Sequence, residues 1–198
     1  MFDFSKFKLK YLISIILFSV TIIGSVILIN NDTWLTRSIS YFGTQPETET
    51  FFNIGVVVTG VSLAFLVLEI FKAFNQLYRE GKTNKFKQIT LTALFIIFVI
   101  FILNVGIFPV HIHRLIHDLS THTFTLLFII LFFTIGFFLP VTKSFKLNSF
   151  ILGILSLTII FLFILKVITF LGMTIFFFVI FFSWIYQFGF ELNNILKE

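Results

Sequence analysis

The chain has 198 residues, 58% of them hydrophobic and only 12% charged, about half the charged share of an ordinary globular domain. A mean hydropathy of +1.08, with the apolar residues gathered in long runs, excludes a water-soluble domain and makes the bilayer the solvent to reason with. A net charge of +5 points to helix orientation and lipid headgroups and not to nucleic acid, because the stretches between the runs are too short to fold a nucleic-acid-binding module; the absence of cysteine excludes disulfides, thiolate metal sites and cysteine nucleophiles.

Runs long enough to cross about 30 Å of hydrocarbon at about 1.5 Å per residue predict an all-α bundle of six transmembrane spans in a single domain. The first, Tyr11–Ile29, follows the basic flank Lys6, Lys8 and Lys10 and ends in Asn30-Asn31-Asp32 without a small-x-small cleavage site, so it reads as a retained helix and not a signal peptide. The segment Asn30–Thr50 predicts a short helix in the headgroup plane. Asp32 caps it, Leu35, Ile39 and Phe42 recur at i, i+4 and i+7, Gly43 closes it, and Trp34 and Tyr41 suit the interface. Glu47 and Glu49 follow.

The second span, Phe51–Phe74, carries Asn53 near its start. Gly55, Thr59, Gly60 and Ser62 offer small surfaces for close helix approach, and Glu69 with Lys72 pairs or snorkels at the other end. The basic loop Arg79–Lys87 leads to the third span, Lys87–Phe108, with Asn104 near its end. Both asparagines need partners in a dry setting and are expected to bond each other or a ligand. No acidic or basic residue falls at mid-depth of any span, which argues against a proton pump or ion-coupled carrier.

The stretch Pro109–His122, PVHIHRLIHDLSTH, holds all four histidines. Pro109 ends the third span and suits a first helical turn, which places the start of the next helix near Val110. At helical spacing Ile112, Leu115, Ile116 and Leu119 share one face and His113 and His117 sit one turn apart on the other, while Arg114 and Asp118 form an i,i+4 pair. The remaining spans are Leu119–Leu139, Asn148–Leu165 and Ile168–Phe190; only Lys166 separates the last two, so five helices with one overlong member is the alternative count. Phenylalanine, at 33 residues, reads as a composition bias serving lipid-facing surfaces.

Alternating the spans places Lys6, Lys8, Lys10, Lys72, Arg79, Lys82, Lys85, Lys87, Lys143, Lys146 and Lys197 on one side and only Arg37, Arg114 and Lys166 on the other. Because retained positive charge orients short loops, both termini are expected in the cytoplasm, with the cell membrane as the site of insertion. The histidine segment then shares the outer side with Asn30–Thr50 and the turn near Lys166.

Several chemistries compete for that outer patch. Asn53, Asn104, His117 and Asp118 converge at one expected depth and make a candidate ligand pocket. His113 and His117 have the i,i+4 spacing that two imidazoles need to share an ion; His122, Asp118 or an acid of the first outer loop would complete a site for zinc or another transition metal. Histidine could also sense external acidity. HExxH, GxSxG and Walker patterns are absent, and nothing distinguishes Ser38, Ser40 or Ser120 as a nucleophile.

Ser40-Tyr41-Phe42-Gly43 followed by Phe51-Phe52-Asn53-Ile54-Gly55 resembles the "S-x-L-G … F-N-x-G" opening of the domain of unknown function 998 family of six-span prokaryotic membrane proteins. Val105-Gly106-Ile107-Phe108-Pro109, with His117 downstream, resembles its "V-G-x-F-P … H" element, although Phe42 stands where leucine is commoner. The layout is more distantly similar to the Frag1/DRAM/Sfk1 group. The resemblance implies six helices and an outer cluster built from Gly43, Asn53, Gly106, Pro109 and His117, and supplies no reaction or cofactor.

The first functional reading is therefore a non-enzymatic integral membrane protein that binds a lipid or small ligand near the outer leaflet. The alternatives are an intramembrane metal-dependent hydrolase acting on lipid, and a small transporter or channel subunit, whose pore would require a homo-oligomer.

Overall fold

The computed structural model describes residues 1–29, 35, 37 and 39–198, with the side chains of Phe170 and Leu171 left aside. Six long helices carry the chain: α1 (Phe4–Ile29), α2 (Glu49–Arg79), α3 (Lys85–Ile107), α4 (Arg114–Phe138), α5 (Lys143–Ile164) and α6 (Phe170–Ile195). A 3₁₀ helix, Ile39–Thr44, lies between α1 and α2, and no strand occurs among the described residues. Each long helix is apolar enough to cross a bilayer.

Most helices outrun their apolar cores at the lysine-rich end, because a helix continues into the headgroup zone wherever good helix formers follow. Side-chain capping marks where four of them begin. Asp3 Oδ1 accepts the amides of Ser5 and Lys6, Asn84 caps α3 through Lys87 N, and the Thr142 and Thr169 hydroxyls cap α5 and α6.

The count of six is settled at Lys166. Lys166 N donates to Phe163 O and Val167 N to Leu162 O, the paired bonds of a Schellman turn, with Lys166 itself at φ 58°. The same closure ends α2, where Gly81 occupies the left-handed position without strain.

Consecutive helices pack as neighbours, and α6 returns against α1 to close the bundle. Phe2 N reaches Gln76 Oε1, Lys82 Nζ donates to Ile195 O, and Thr142 N bonds Glu191, so both termini and the loops after α2 and α4 share one end. That is the lysine-rich end; the 3₁₀ helix, the turn before α4 and the Lys166 turn lie at the opposite, histidine-bearing end.

Aromatic residues of α6 touch all five other helices: Tyr186 meets Tyr11, Phe188 meets Phe74 and Phe95, and Trp184 meets Phe132 and Phe145. Trp184 is fully buried and satisfies its indole N–H on Ser149 Oγ at 2.9 Å. Phenylalanine is therefore a core residue here as much as a lipid-facing one: Phe7, Phe42, Phe52, Phe74, Phe95, Phe132 and Phe188 are among the largest fully buried side chains.

The small residues of α2 do bring helices together. Gly55 packs on Thr21, Ser62 Oγ bonds Ser14 Oγ at 2.8 Å, and Gly60 faces Leu103. Glu69 is buried and pairs with Lys72 at 2.9 Å and with Lys10 of α1.

Two substitutions test these assignments. A methyl group at Gly189 would overlap the buried Phe7 ring, so Gly189→Ala is expected to cost about 1–3 kcal/mol, read by unfolding in mixed micelles. Lys166→Gly removes the left-handed penalty and is expected to raise stability by about 1 kcal/mol.

Candidate functional site

The histidine-bearing end is organised by the sequence Phe108-Pro109. A residue before proline is pushed out of the helical region; Phe108 accordingly sits at φ −113°, ψ 85°, and its carbonyl is turned away from α3. Pro109 O then accepts the amides of Ile112 and His113 in the turn that leads to α4. Helix α4 therefore begins at Arg114 and not near Val110, with His113 as its N-cap residue.

His117, one turn into α4, is only 3% exposed. Its Nδ1 lies 3.1 Å from Phe108 O and its Nε2 3.0 Å from Ser40 Oγ in the 3₁₀ helix. A carbonyl can only accept, so Nδ1 carries the proton of the neutral ring and Nε2 accepts from the Ser40 hydroxyl. One imidazole thus ties α3, α4 and the segment before α2 together.

The 3₁₀ helix is held down by buried Ile39 and Phe42, the latter beside Phe52 of α2. Thr48 Oγ1 donates to Phe42 O at 2.6 Å. The short helix expected in the headgroup plane is thus, over Ile39–Thr44, a 3₁₀ segment packed into the bundle, while Leu35 is exposed; Asp32, Trp34 and Ser38 lie outside the described residues. Gly43 does not end it by a left-handed turn. A Cβ there would stand 2.7 Å from Asn53 Oδ1, so glycine is needed for close approach. Asn53 Nδ2 donates to Gly43 O at 3.5 Å, and a Cβ on Gly106 would lie 3.0 Å from Asn53 O. Gly43, Asn53 and Gly106 therefore meet at one point, at the end of the bundle where His117 joins Phe108 and Ser40.

The other candidates part company there. Asn53 is committed to Gly43, and Asn104 makes no side-chain hydrogen bond among the described residues. Asp118 turns outward and pairs with Arg114 at 3.5 Å on the exposed rim. The proposed metal ligands His113, His117 and His122 are not gathered either. His113 lies edge-on to the Phe108 ring, both nitrogens of His117 are occupied, and His122 is exposed, about 140° around α4 from His117. His111 pairs with Glu49 at 3.1 Å. Among the described residues no three His, Asp or Glu side chains lie close enough to hold an ion.

Below Ser40 opens an apolar cavity of about 100 Å³. Ile39 and Ser40 lie in its wall at one end, and it runs down past Val56 and Thr59 of α2, Val105 of α3, Thr121 and Thr125 of α4 and Phe177 of α6. On α2 the lining residues extend from Phe52 to Leu63, about 16 Å of helix.

Its wall contains one anomaly. Intrahelical threonines and serines here donate to the carbonyl four residues back, as Thr21, Ser25, Thr121, Thr125, Thr134 and Ser156 do. Thr59 does not: it is 4% exposed and its hydroxyl has no partner among the described residues.

Ser40 was one of three equal serine candidates, and only its distance to His117 distinguishes it. The Phe108 carbonyl was not anticipated, although Pro109 is the signal that frees it.

Six apolar helices that close on one another define an integral membrane protein. Comparison with family models, curated proteins and solved structures finds no match for the chain.

Removing His117 leaves a carbonyl and a hydroxyl unpaired inside the bundle. His117→Ala is expected to cost about 2–3 kcal/mol, whereas Asp118→Ala, at the rim, should stay within about 0.5 kcal/mol; parallel unfolding curves decide between these fates.

Proposed function

We propose that the protein binds a single lipid acyl chain in the cavity beneath the 3₁₀ helix, with its termini in the cytoplasm and the cavity in the outer half of the cell membrane. The bias of eleven basic residues to the end that carries the termini supports this orientation. The cavity's lining supports the choice of ligand: about 16 Å of α2 borders an apolar space of about 100 Å³, which suits a short length of alkyl chain. Ser40, Phe52 and Val105, which belong to the stretches that carry the likeness to the domain of unknown function 998 family, line the cavity, and membership of that family is part of the same proposal.

The observation that carries the reading is the unpartnered Thr59 hydroxyl. A buried hydroxyl without a bond costs about 1–3 kcal/mol, and a polar group on an otherwise apolar ligand would recover it. A hydroxyl carried part-way along the chain is such a group.

Thr59→Val conserves shape and removes the hydroxyl. We expect it to leave the empty protein as stable or more stable, while weakening retention of an acyl lipid about three- to tenfold. Mass measurement of lipid carried out of native membranes, compared with Val105→Phe, which fills the cavity and should abolish retention, tests both. Equal lipid retention by all three proteins would refute the reading.

A further inference from the structure

We propose that Ser40 and His117 are a nucleophile and its general base, and that the protein cleaves an acyl ester whose chain lies in the cavity. The proposal rests on the reading of the cavity as an acyl-chain site and adds a reaction to it. Three observations converge on it. The Ser40 Oγ to His117 Nε2 distance, 3.0 Å, is within the range of an activated nucleophile and its base. The Phe108 carbonyl, 3.1 Å from Nδ1, holds the ring in the tautomer that turns a basic lone pair to the hydroxyl, the role a carboxylate plays in a serine triad. Ser40 lines the cavity, while His117 is buried behind it. A chain in the cavity would therefore bring its carbonyl end to the hydroxyl.

The chemistry balances with water as the only co-reactant. Ser40 Oγ attacks the ester carbonyl carbon as its proton passes to His117 Nε2. The tetrahedral adduct collapses, the bond to the departing alkoxy oxygen breaks, and Nε2 returns the proton to that oxygen, releasing an alcohol and leaving an acyl-serine. Water, admitted from the exposed rim, attacks the acyl carbon and gives a proton to Nε2. The acyl–Oγ bond then breaks, Oγ takes that proton, and a carboxylic acid leaves. His113 and His122 take no part, and the Phe108 carbonyl is a positioning group.

A hydrogen-bonded tether and a catalytic base differ in one property: glutamine can make both hydrogen bonds but takes no proton. The full-length protein in detergent is treated with a long-chain alkyl fluorophosphonate, and the adduct is located by peptide mass. We expect modification of Ser40, none in Ser40→Ala, and labelling slowed by roughly 100-fold or more in His117→Gln, with an unfolding midpoint near that of the parent. Labelling of His117→Gln at the parent rate would overturn the pairing. A small dialkyl fluorophosphate separates the two readings. Ser40 labelled by the small reagent and not by the long one upholds the nucleophile and removes the acyl-chain site. Ser40 labelled by neither, in a protein that still retains acyl lipid, overturns the nucleophile and leaves the site standing.

Discussion

Inside hydrocarbon there is no water to take up a stray hydrogen bond, so each polar group in this bundle has to find its partner within the chain. The constraint explains much of the polar arrangement. Serines and threonines fold back on their own helices, Ser14 bonds Ser62, the Trp184 indole bonds Ser149, and Asn148 bonds Gln187. Glu69 takes Lys10 and Lys72 on one oxygen. Among the described residues only Thr59 Oγ1 and the second oxygen of Glu69 are buried without a partner. One of the two, Thr59, lines the apolar cavity.

The two ends of the bundle use their side chains differently. Toward the lysine-rich end Phe95, Phe188 and Trp184 stack nearly parallel, with the Trp184 and Phe188 centroids 5.3 Å apart, and Gly189 lets Phe7 close over the same helix. Offset and tilted aromatic pairs add to area burial. Toward the histidine-bearing end phenylalanines of α1, α2, α3, α4 and α6 share the wall of the apolar cavity with valine, threonine and methionine. The lysine-rich half also carries an open cleft of about 610 Å³ between α5 and α6, bordered by polar Thr142, Asn148, Gln187 and Glu191, whereas the cavity of the other half is almost wholly apolar.

The four histidines show how little residue type says about role. They fall within twelve residues of one another, yet one pairs with Glu49, one lies against Phe108, one is exposed and one is buried with both nitrogens bonded. The separating event is the proline that delays α4 to Arg114. Once His113 becomes a cap residue its side chain leaves the helical face it would share with His117, and a spacing that fits a metal no longer describes a pair. Charge pairs at this rim, such as Arg114 with Asp118, are exposed and contribute little.

Length and hydropathy pointed to an all-helical bundle and to the order of its spans, because crossing a bilayer requires about 20 apolar residues and permits almost no other regular backbone; the choice of six over five waited on the turn at Lys166. Small residues at Gly55, Gly60 and Ser62 announced close helix contacts for the same reason. Helix boundaries were less legible, since the N-caps Asn84, Thr142 and Thr169 and not hydropathy set where α3, α5 and α6 begin. The partnership of Ser40, Phe108 and His117 joins positions up to 77 residues apart, and periodicity reports only the face of a helix, never what that face meets. Nor could it reveal that Thr59, alike in sequence to its neighbours, withholds its hydroxyl from its own helix. Only packing brings these groups to common ground, and packing is a property of all six helices at once.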